Sequence, residues 1–258
     1  MTEKFNILIT IKFCLTFLLL SSITSQVANA KELIIGFTYD IPPYIADNAT
    51  SGLEIDIVRD ALKYKGHTFK PQQFSYGELD YVVKQKGLDG AAAVQKTDDG
   101  TFYSENFIAF RNYAFTKKNA GITINSVADL KGKTIVAWQD AYKDLGPEFE
   151  ALFSPSVELP YKNKYKEIPD QAKQVAMFWN SEAEVIVIDE TIMLWFTKHL
   201  ANKSGSIQDL VYHNIFGDKT QFRVSFKDQQ VRDDFNEGLK YIRENGTYQQ
   251  IFDKYLKD

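Results

Sequence analysis

The chain has 258 residues and carries 30 Lys and Arg against 34 Asp and Glu, a formal net charge of −4. This acidic balance excludes the basic surface that binding to a phosphate backbone needs, so the sequence predicts no nucleic-acid partner. Cys14 is the single cysteine, which excludes a disulfide framework and a thiolate metal site.

The first 30 residues differ from the rest and are typical of a secretory signal peptide. Lys4 and Lys12 flank the start, residues 13–20 are apolar, and small residues lead up to Ala30. The apolar run is far shorter than the roughly 20 residues that a membrane span requires. We therefore predict a periplasmic protein cut after Ala30, with an uncleaved anchor as the alternative. Cleavage removes two of the 30 basic and one of the 34 acidic residues, which leaves 28 against 33 and a net charge of −5.

Short β-branched runs then alternate with amphipathic stretches. The first series predicts strands at residues 33–37, 68–74 and 90–94, with helices at residues 52–64 and 76–86. Turn-forming residues at 40–43 and Gly66 separate these elements. This order is typical of an α/β fold with mostly parallel sheets.

A second series begins after residues 117–119. It predicts strands at residues 134–138 and 185–188, helices at residues 168–180 and 190–200, and two terminal helices around residues 231–242 and 248–255. Because no flexible linker separates the two series, we predict two lobes joined by crossing strands near residues 112–117 and 212–216. Lobe one comprises residues 31–115 and 217–258, lobe two comprises residues 116–216, and a ligand cleft lies between them.

Six short motifs follow one another in the order and spacing of a known family. They occupy residues 41–44, 52–57, 87–90, 130–133, 188–190 and 245–248. Through them the chain, over residues 32–256, resembles the extracellular solute-binding proteins of family 3, the polar-amino-acid type of periplasmic binding protein. The resemblance implies a two-lobe fold of the periplasmic-binding-protein type (type II, Venus flytrap). It also implies a monomer without cofactor that closes on a small-molecule solute and presents it to a membrane permease of an ABC-type import system.

The family's amino-acid site carries over at one position. The resemblance places Asp189 where the family receives an α-ammonium group, but residues 96–102 lack the arginine that clamps the ligand carboxylate. We therefore expect a neutral or cationic solute rather than an ordinary amino acid, with Arg111 as an alternative clamp from a shifted position. The candidate ligand-binding residues are aromatic or acidic and follow predicted strands or begin helices: Tyr39, Asp40, Tyr76, Asp98, Trp138, Tyr142 and Asp189.

Ordinary structural roles are open for several of these residues. Asp189 could be the N-cap of a helix, Trp138 could belong to the core, and Asp98 lies in a turn sequence. The acidic side chain of Glu54, at a helix start, is interpreted as favouring the helix dipole.

No catalytic motif supports an enzyme. The histidines His67, His199 and His213 lie in separate segments without the spacing of metal ligands, and no nucleophile elbow is present. We predict a binding protein with no metal and no catalytic residues. Two rivals share the predicted fold: a periplasmic sensor input for a signalling partner, and a dehydratase-like enzyme.

Overall fold

The structure, a computed structural model, describes residues 30–158, 162–200 and 205–256. The predicted signal peptide, residues 1–30, lies outside the described residues except for Ala30. In the described ranges, no helix combines the length and the apolar character needed to cross a membrane.

The first sheet contains six strands. They are β1 (Glu32–Thr38), β2 (Thr68–Phe74), β3 (Gly90–Val94), β4 (Phe102–Tyr103), β5 (Ile108–Phe110) and β11 (Thr220–Phe226). The order is β2-β1-β3-β11-β4, and β5 pairs with β11. Its helices are α1 (Leu53–Lys63), α2 (Tyr76–Gln85), α6 (Gln229–Glu244) and α7 (Thr247–Leu256).

The second sheet contains five strands. They are β6 (Asn112–Lys117), β7 (Ile135–Ala137), β8 (Tyr165–Glu167), β9 (Val185–Asp189) and β10 (Leu210–His213), in the order β10-β6-β9-β7-β8. Its helices are α3 (Pro147–Phe153), α4 (Gln171–Trp179) and α5 (Glu190–His199). Two sheets, each with its own helices, confirm the predicted two-lobe α/β architecture.

The chain passes between the sheets twice. It leaves the first sheet after β5, crosses at Arg111 and enters the second sheet as β6; it returns between β10 and β11, over residues 214–219. Both crossings are short, which keeps the two sheets close and lets them rotate about few residues. The lobe boundaries at residues 115/116 and 216/217 stay a prediction.

The expectation of mostly parallel sheets was wrong, because both sheets are mixed. Strands β1, β2 and β3 are parallel, and so are β7, β8 and β9. The strand that follows each crossing runs the other way: β6 is antiparallel to β9 and β10, and β11 is antiparallel to β3, β4 and β5. A strand that enters from the other lobe is not part of a βαβ unit, so the rule that makes such units parallel does not govern it.

Helices α1 and α6 touch through a glycine. A Cβ atom at Gly238 would lie 1.9 Å from the carbonyl oxygen of Ala61, so only glycine permits this approach. Replacing Gly238 by alanine is expected to lower the free energy of unfolding by up to about 2 kcal/mol, since overpacking costs about 1–3 kcal/mol and helix propensity returns about 1 kcal/mol. Urea unfolding measures the change. The exposed Lys240→Ala on the same helix is the control, and equal stability of the two variants would show that the contact is loose.

Candidate functional site

A cavity lies between the two sheets, where strands of both lobes begin or end. Its aromatic and apolar lining includes Tyr39, Ile41, Tyr76, Phe110, Trp138 and Phe222. Its polar lining consists of Thr38, Glu54, Asn112, Gln139, Gln171 and Asp189. Few polar groups on a mainly apolar wall are the ordinary composition of a small-molecule site.

Four of the seven predicted site residues line this cavity: Tyr39, Tyr76, Trp138 and Asp189. The first lobe supplies Tyr39, just after β1, and Tyr76, the first residue of α2. The second lobe supplies Trp138, just after β7, and Asp189, the last residue of β9. These side chains converge because parallel strands place their carboxyl ends at the same edge of a sheet.

The other three predicted residues are not among those lining the cavity. Asp40 accepts hydrogen bonds from the backbone N–H groups of Asn48 at 3.0 Å and Ala49 at 3.3 Å, which makes it part of a loop. Asp98 is exposed. Tyr142 is half-buried against the hydrophobic core of the second lobe.

Asp189 forms hydrogen bonds with residues of both lobes. Its carboxylate accepts hydrogen bonds from the backbone N–H of Ile192 at 3.1 Å, as the N-cap of α5, and from that of Arg111 at 2.8 Å. The hydroxyl of Tyr44, in the first lobe, donates a third bond at 3.2 Å. Burial raises the pKa of Asp189 to about 6, although these bonds favour the ionised form. The structure therefore assigns Asp189 the cap role that sequence reasoning left open.

Glu54, the second residue of α1, is one of the lining residues that sequence reasoning did not predict. Its side chain is 0% exposed, and neither carboxyl oxygen has a hydrogen-bond partner among the described residues. Burial raises its pKa to about 8. The sequence carries no signal that marks it, because an acid in the first turn of a helix is ordinarily exposed; here its apolar neighbours Leu53 and Ile55 are buried with it.

A third buried acceptor without a partner faces the same cavity. It is the side-chain oxygen of Gln171, the first residue of α4. Neither lysine, arginine nor histidine occurs among the lining residues. Buried polar atoms in folded proteins are almost always paired. The unpaired atoms of this cavity are acceptors, so the arrangement suits a ligand that donates hydrogen bonds.

Ala93, in the cavity wall, has a strained backbone. Its φ is 58°, in the left-handed region that residues other than glycine avoid, at a cost of about 1 kcal/mol. The register between β11 and β3 shifts beside it, between Arg223 and Ser225. Strained residues and strand irregularities of this kind concentrate at functional sites.

The lobes also touch at the rim of the cleft. The hydroxyl of Tyr76 donates a 2.6 Å hydrogen bond to Asp144 of the second lobe, and burial raises the pKa of that carboxyl to about 6. At Gly77, a Cβ atom would lie 2.7 Å from a carboxyl oxygen of Asp140 and 3.0 Å from the side-chain nitrogen of Gln139. With the bond between Tyr44 and Asp189, these contacts show a closed cleft.

Arg111 is not placed to clamp a ligand. Its side chain is exposed, it hydrogen-bonds to Tyr113, and it is absent from the lining residues. Only its backbone N–H serves the site, through Asp189. In the described part of the chain, no group of three His, Cys, Asp or Glu side chains could hold a metal ion.

Known proteins resemble this chain in sequence and in fold. The arginine-binding extracellular protein ArtP of Bacillus subtilis is 22% identical over 266 residues, which cover 97% of both chains. The crystal structure of a substrate-binding protein of an ABC uptake transporter from Streptococcus pneumoniae with bound histidine has a TM-score of 0.70 at 18% identity, over 88% of this chain and 93% of that one. A histidine kinase sensor domain similar to periplasmic binding proteins also has a TM-score of 0.70 at 18% identity, over 88% and 96% of the two chains.

The fold of these relatives is the type II periplasmic-binding-protein fold, as predicted. Residues 33–258 match the model of the bacterial extracellular solute-binding proteins, family 3. The match spans both sheets and the whole cavity, and it agrees with the resemblance that the six motifs indicate. The chain therefore belongs to the bacterial extracellular solute-binding proteins of family 3.

Proposed function

We propose that this protein captures a small cationic solute that donates hydrogen bonds and lacks a free carboxylate, and delivers it to an ABC-type membrane permease. One observation carries the proposal: among the described residues, the buried acceptors of Glu54 and Gln171 in this cavity have no partner, and no basic residue lines it. A donor-rich cation would pair these acceptors. A carboxylate in the same place would meet no positive partner, and burying it would cost several kcal/mol.

The aromatic lining supports the same ligand class. Tyr39, Tyr76 and Trp138 line the cavity from both lobes. A cation over the face of such a ring gains about 0.5–2 kcal/mol, and more when water is excluded. Aromatic faces and unpaired acceptors together favour a ligand that carries positive charge and N–H groups.

The similarity to an arginine-binding protein agrees with one part of the proposed ligand and disagrees with another. A guanidinium group presents five N–H donors, which suits acceptors such as those of Glu54 and Gln171. The α-carboxylate of arginine has no counterpart in the lining of this cavity. We therefore propose an amine or guanidine without that carboxylate.

The cellular role in this proposal comes from the family. The chain is exported by a signal peptide over residues 1–30, works as a monomer in the periplasm, and binds its solute without changing it. The predicted lobes, residues 31–115 with 217–258 and residues 116–216, close on the ligand. A histidine kinase sensor domain shares the fold alone, so delivery to a permease is proposed ahead of sensing.

Matched ligand pairs test the proposal. We expect agmatine to bind at least tenfold more tightly than arginine, and cadaverine more tightly than lysine, because each pair differs only by the carboxylate that the cavity cannot pair. Isothermal titration calorimetry of residues 31–258 gives the affinities, and the ligand recovered afterwards should be unchanged. Tighter binding of arginine than of agmatine would contradict the proposed ligand class, and turnover of the ligand would point to an enzyme.

A further inference from the structure

Glu54 differs from the other acid of the cavity in having no partner. Asp189 accepts three hydrogen bonds, whereas both oxygens of Glu54 are buried and unpaired within the described residues. A carboxylate removed from water without donors or a counter-charge is among the costliest groups to bury. Burial therefore favours the neutral acid and raises the pKa of Glu54 to about 8.

The titratable groups around Glu54 supply no positive charge. The carboxyl groups of Asp189 and Glu54 both raise the pKa of Tyr44 through their negative charge. Tyr39 and Tyr76 line the same cavity. The charged groups near α1, on that helix and on the elements packed against it, pair with one another: Arg59 and Lys254 with Asp56, Lys65 with Glu237, His67 with Asp234, and Lys70 with Glu32. Among the described residues, the titratable groups that line the cavity with Glu54 are thus acids and phenols, so we expect an ionised Glu54 to gain its counter-charge from a ligand.

We propose that the cationic nitrogen of the ligand displaces the proton of the Glu54 carboxyl, so that each binding event exchanges one proton for one cation. The inference rests on the proposed function, because it needs a cationic ligand. In the exchange the O–H bond of Glu54 breaks, its proton goes to solvent buffer, and the carboxylate accepts N–H bonds from the ligand. The positive nitrogen that enters replaces the proton that leaves, so the Glu54 carboxylate is not buried without a counter-charge.

This exchange makes ligand affinity depend on pH. Between about pH 6.5 and 8, free Glu54 is protonated and bound Glu54 is ionised, so the association constant should rise about tenfold per pH unit. Above about pH 8 it should level off, because the free carboxyl has already lost its proton. Asp189, whose pKa is raised to about 6, is ionised through most of this window and adds little to the slope.

The free protein provides the first test. Carbon-13 labelling of glutamate side chains allows the carboxyl signal of Glu54 to be followed from pH 4 to pH 9, with Glu54→Gln used to assign it. We expect its titration near pH 8, well above the ordinary glutamate value of 4.5. Titration near pH 4.5 would overturn the exchange, whatever the ligand.

Calorimetry with agmatine provides the second test. At pH 7, the binding enthalpies measured in phosphate and in Tris should differ, because the buffer takes up the released proton and the two buffers differ in their enthalpy of protonation. The difference should correspond to about one proton per ligand. Glu54→Gln should abolish this release and weaken binding at least tenfold, while Glu150→Gln, which removes an exposed charge, should preserve both. Binding of agmatine without proton release overturns the exchange and leaves the proposed function intact. Failure of agmatine, cadaverine and putrescine to bind contradicts the proposed function and the exchange together.

Discussion

Replacing Gly77 by leucine is expected to hold the lobes apart and to weaken ligand binding at least a hundredfold. The second residue of α2 lies so close to the other lobe that a single Cβ atom would sit 2.7 Å from Asp140 and 3.0 Å from Gln139. A leucine side chain must push the ends of the Asp140 and Gln139 side chains aside or open the cleft, and we expect its bulk to open the cleft. Opening separates the cavity walls that must enclose the ligand, and a hundredfold loss corresponds to about 2.7 kcal/mol of binding free energy.

The fold of the first lobe should survive this change. Leucine is a better helix former than glycine, and the conflict is with the other lobe rather than with α2 itself. Small-angle X-ray scattering with saturating ligand should show a larger radius of gyration for Gly77→Leu than for the wild type, and calorimetry should show the weaker binding. The exposed Gln85→Leu on the same helix is the control. Wild-type affinity in Gly77→Leu would mean that the contact across the rim plays no part in closure.

The second large effect is on stability, through the buried acid. The pKa of Glu54 rises from 4.5 to about 8 on folding, so the folded chain binds more protons than the unfolded chain between these values. The contribution of Glu54 to the free energy of unfolding is therefore fully present below about pH 4.5 and is lost as the pH rises through about 8. From 1.36 kcal/mol per pKa unit, the loss due to this residue between pH 5 and pH 8 is about 3 kcal/mol.

Glu54→Gln removes this loss, because an amide has no proton to give up in that range. Urea unfolding at pH 5 and pH 8 should show that wild-type stability falls by about 3 kcal/mol more than that of the variant. Glu150→Gln, at an exposed position, should follow the wild type. Parallel pH curves for the wild type and Glu54→Gln would show that the Glu54 carboxyl is hydrated or paired in the folded chain.

Local sequence was enough to predict most of the secondary structure. The buried strand predicted at residues 185–188 is Val185–Asp189, and the helix predicted at residues 76–86 is Tyr76–Gln85. Such elements carry apolar runs or a helical period that hardly depend on distant contacts. The strands Phe102–Tyr103 and Tyr165–Glu167 and the helix Pro147–Phe153 were not predicted, because strands of two and three residues and a seven-residue helix are too short to show their period.

The cavity was predictable only where position along a strand or helix implies it. Tyr39, Trp138 and Asp189 could be found because they follow or end strands, and Tyr76 because it begins a helix. Glu54 could not be identified as a site residue, since an acid in a first turn is ordinarily exposed, and its burial depends on the packing of the whole lobe. Nor could the close contact at Gly77 be predicted, because it is made with Asp140 and Gln139 of the other lobe.

The most direct test of the cationic-ligand account is a crystal structure with the tightest-binding amine of the matched pairs. We predict that a ligand nitrogen lies within about 3.2 Å of a Glu54 carboxyl oxygen, with an aromatic ring of the lining against the ligand. The closed rim, with the bond between Tyr76 and Asp144, should be present. A ligand nitrogen bound elsewhere, with both oxygens of Glu54 still unpaired, or a ligand carboxylate held in this cavity, would contradict the account.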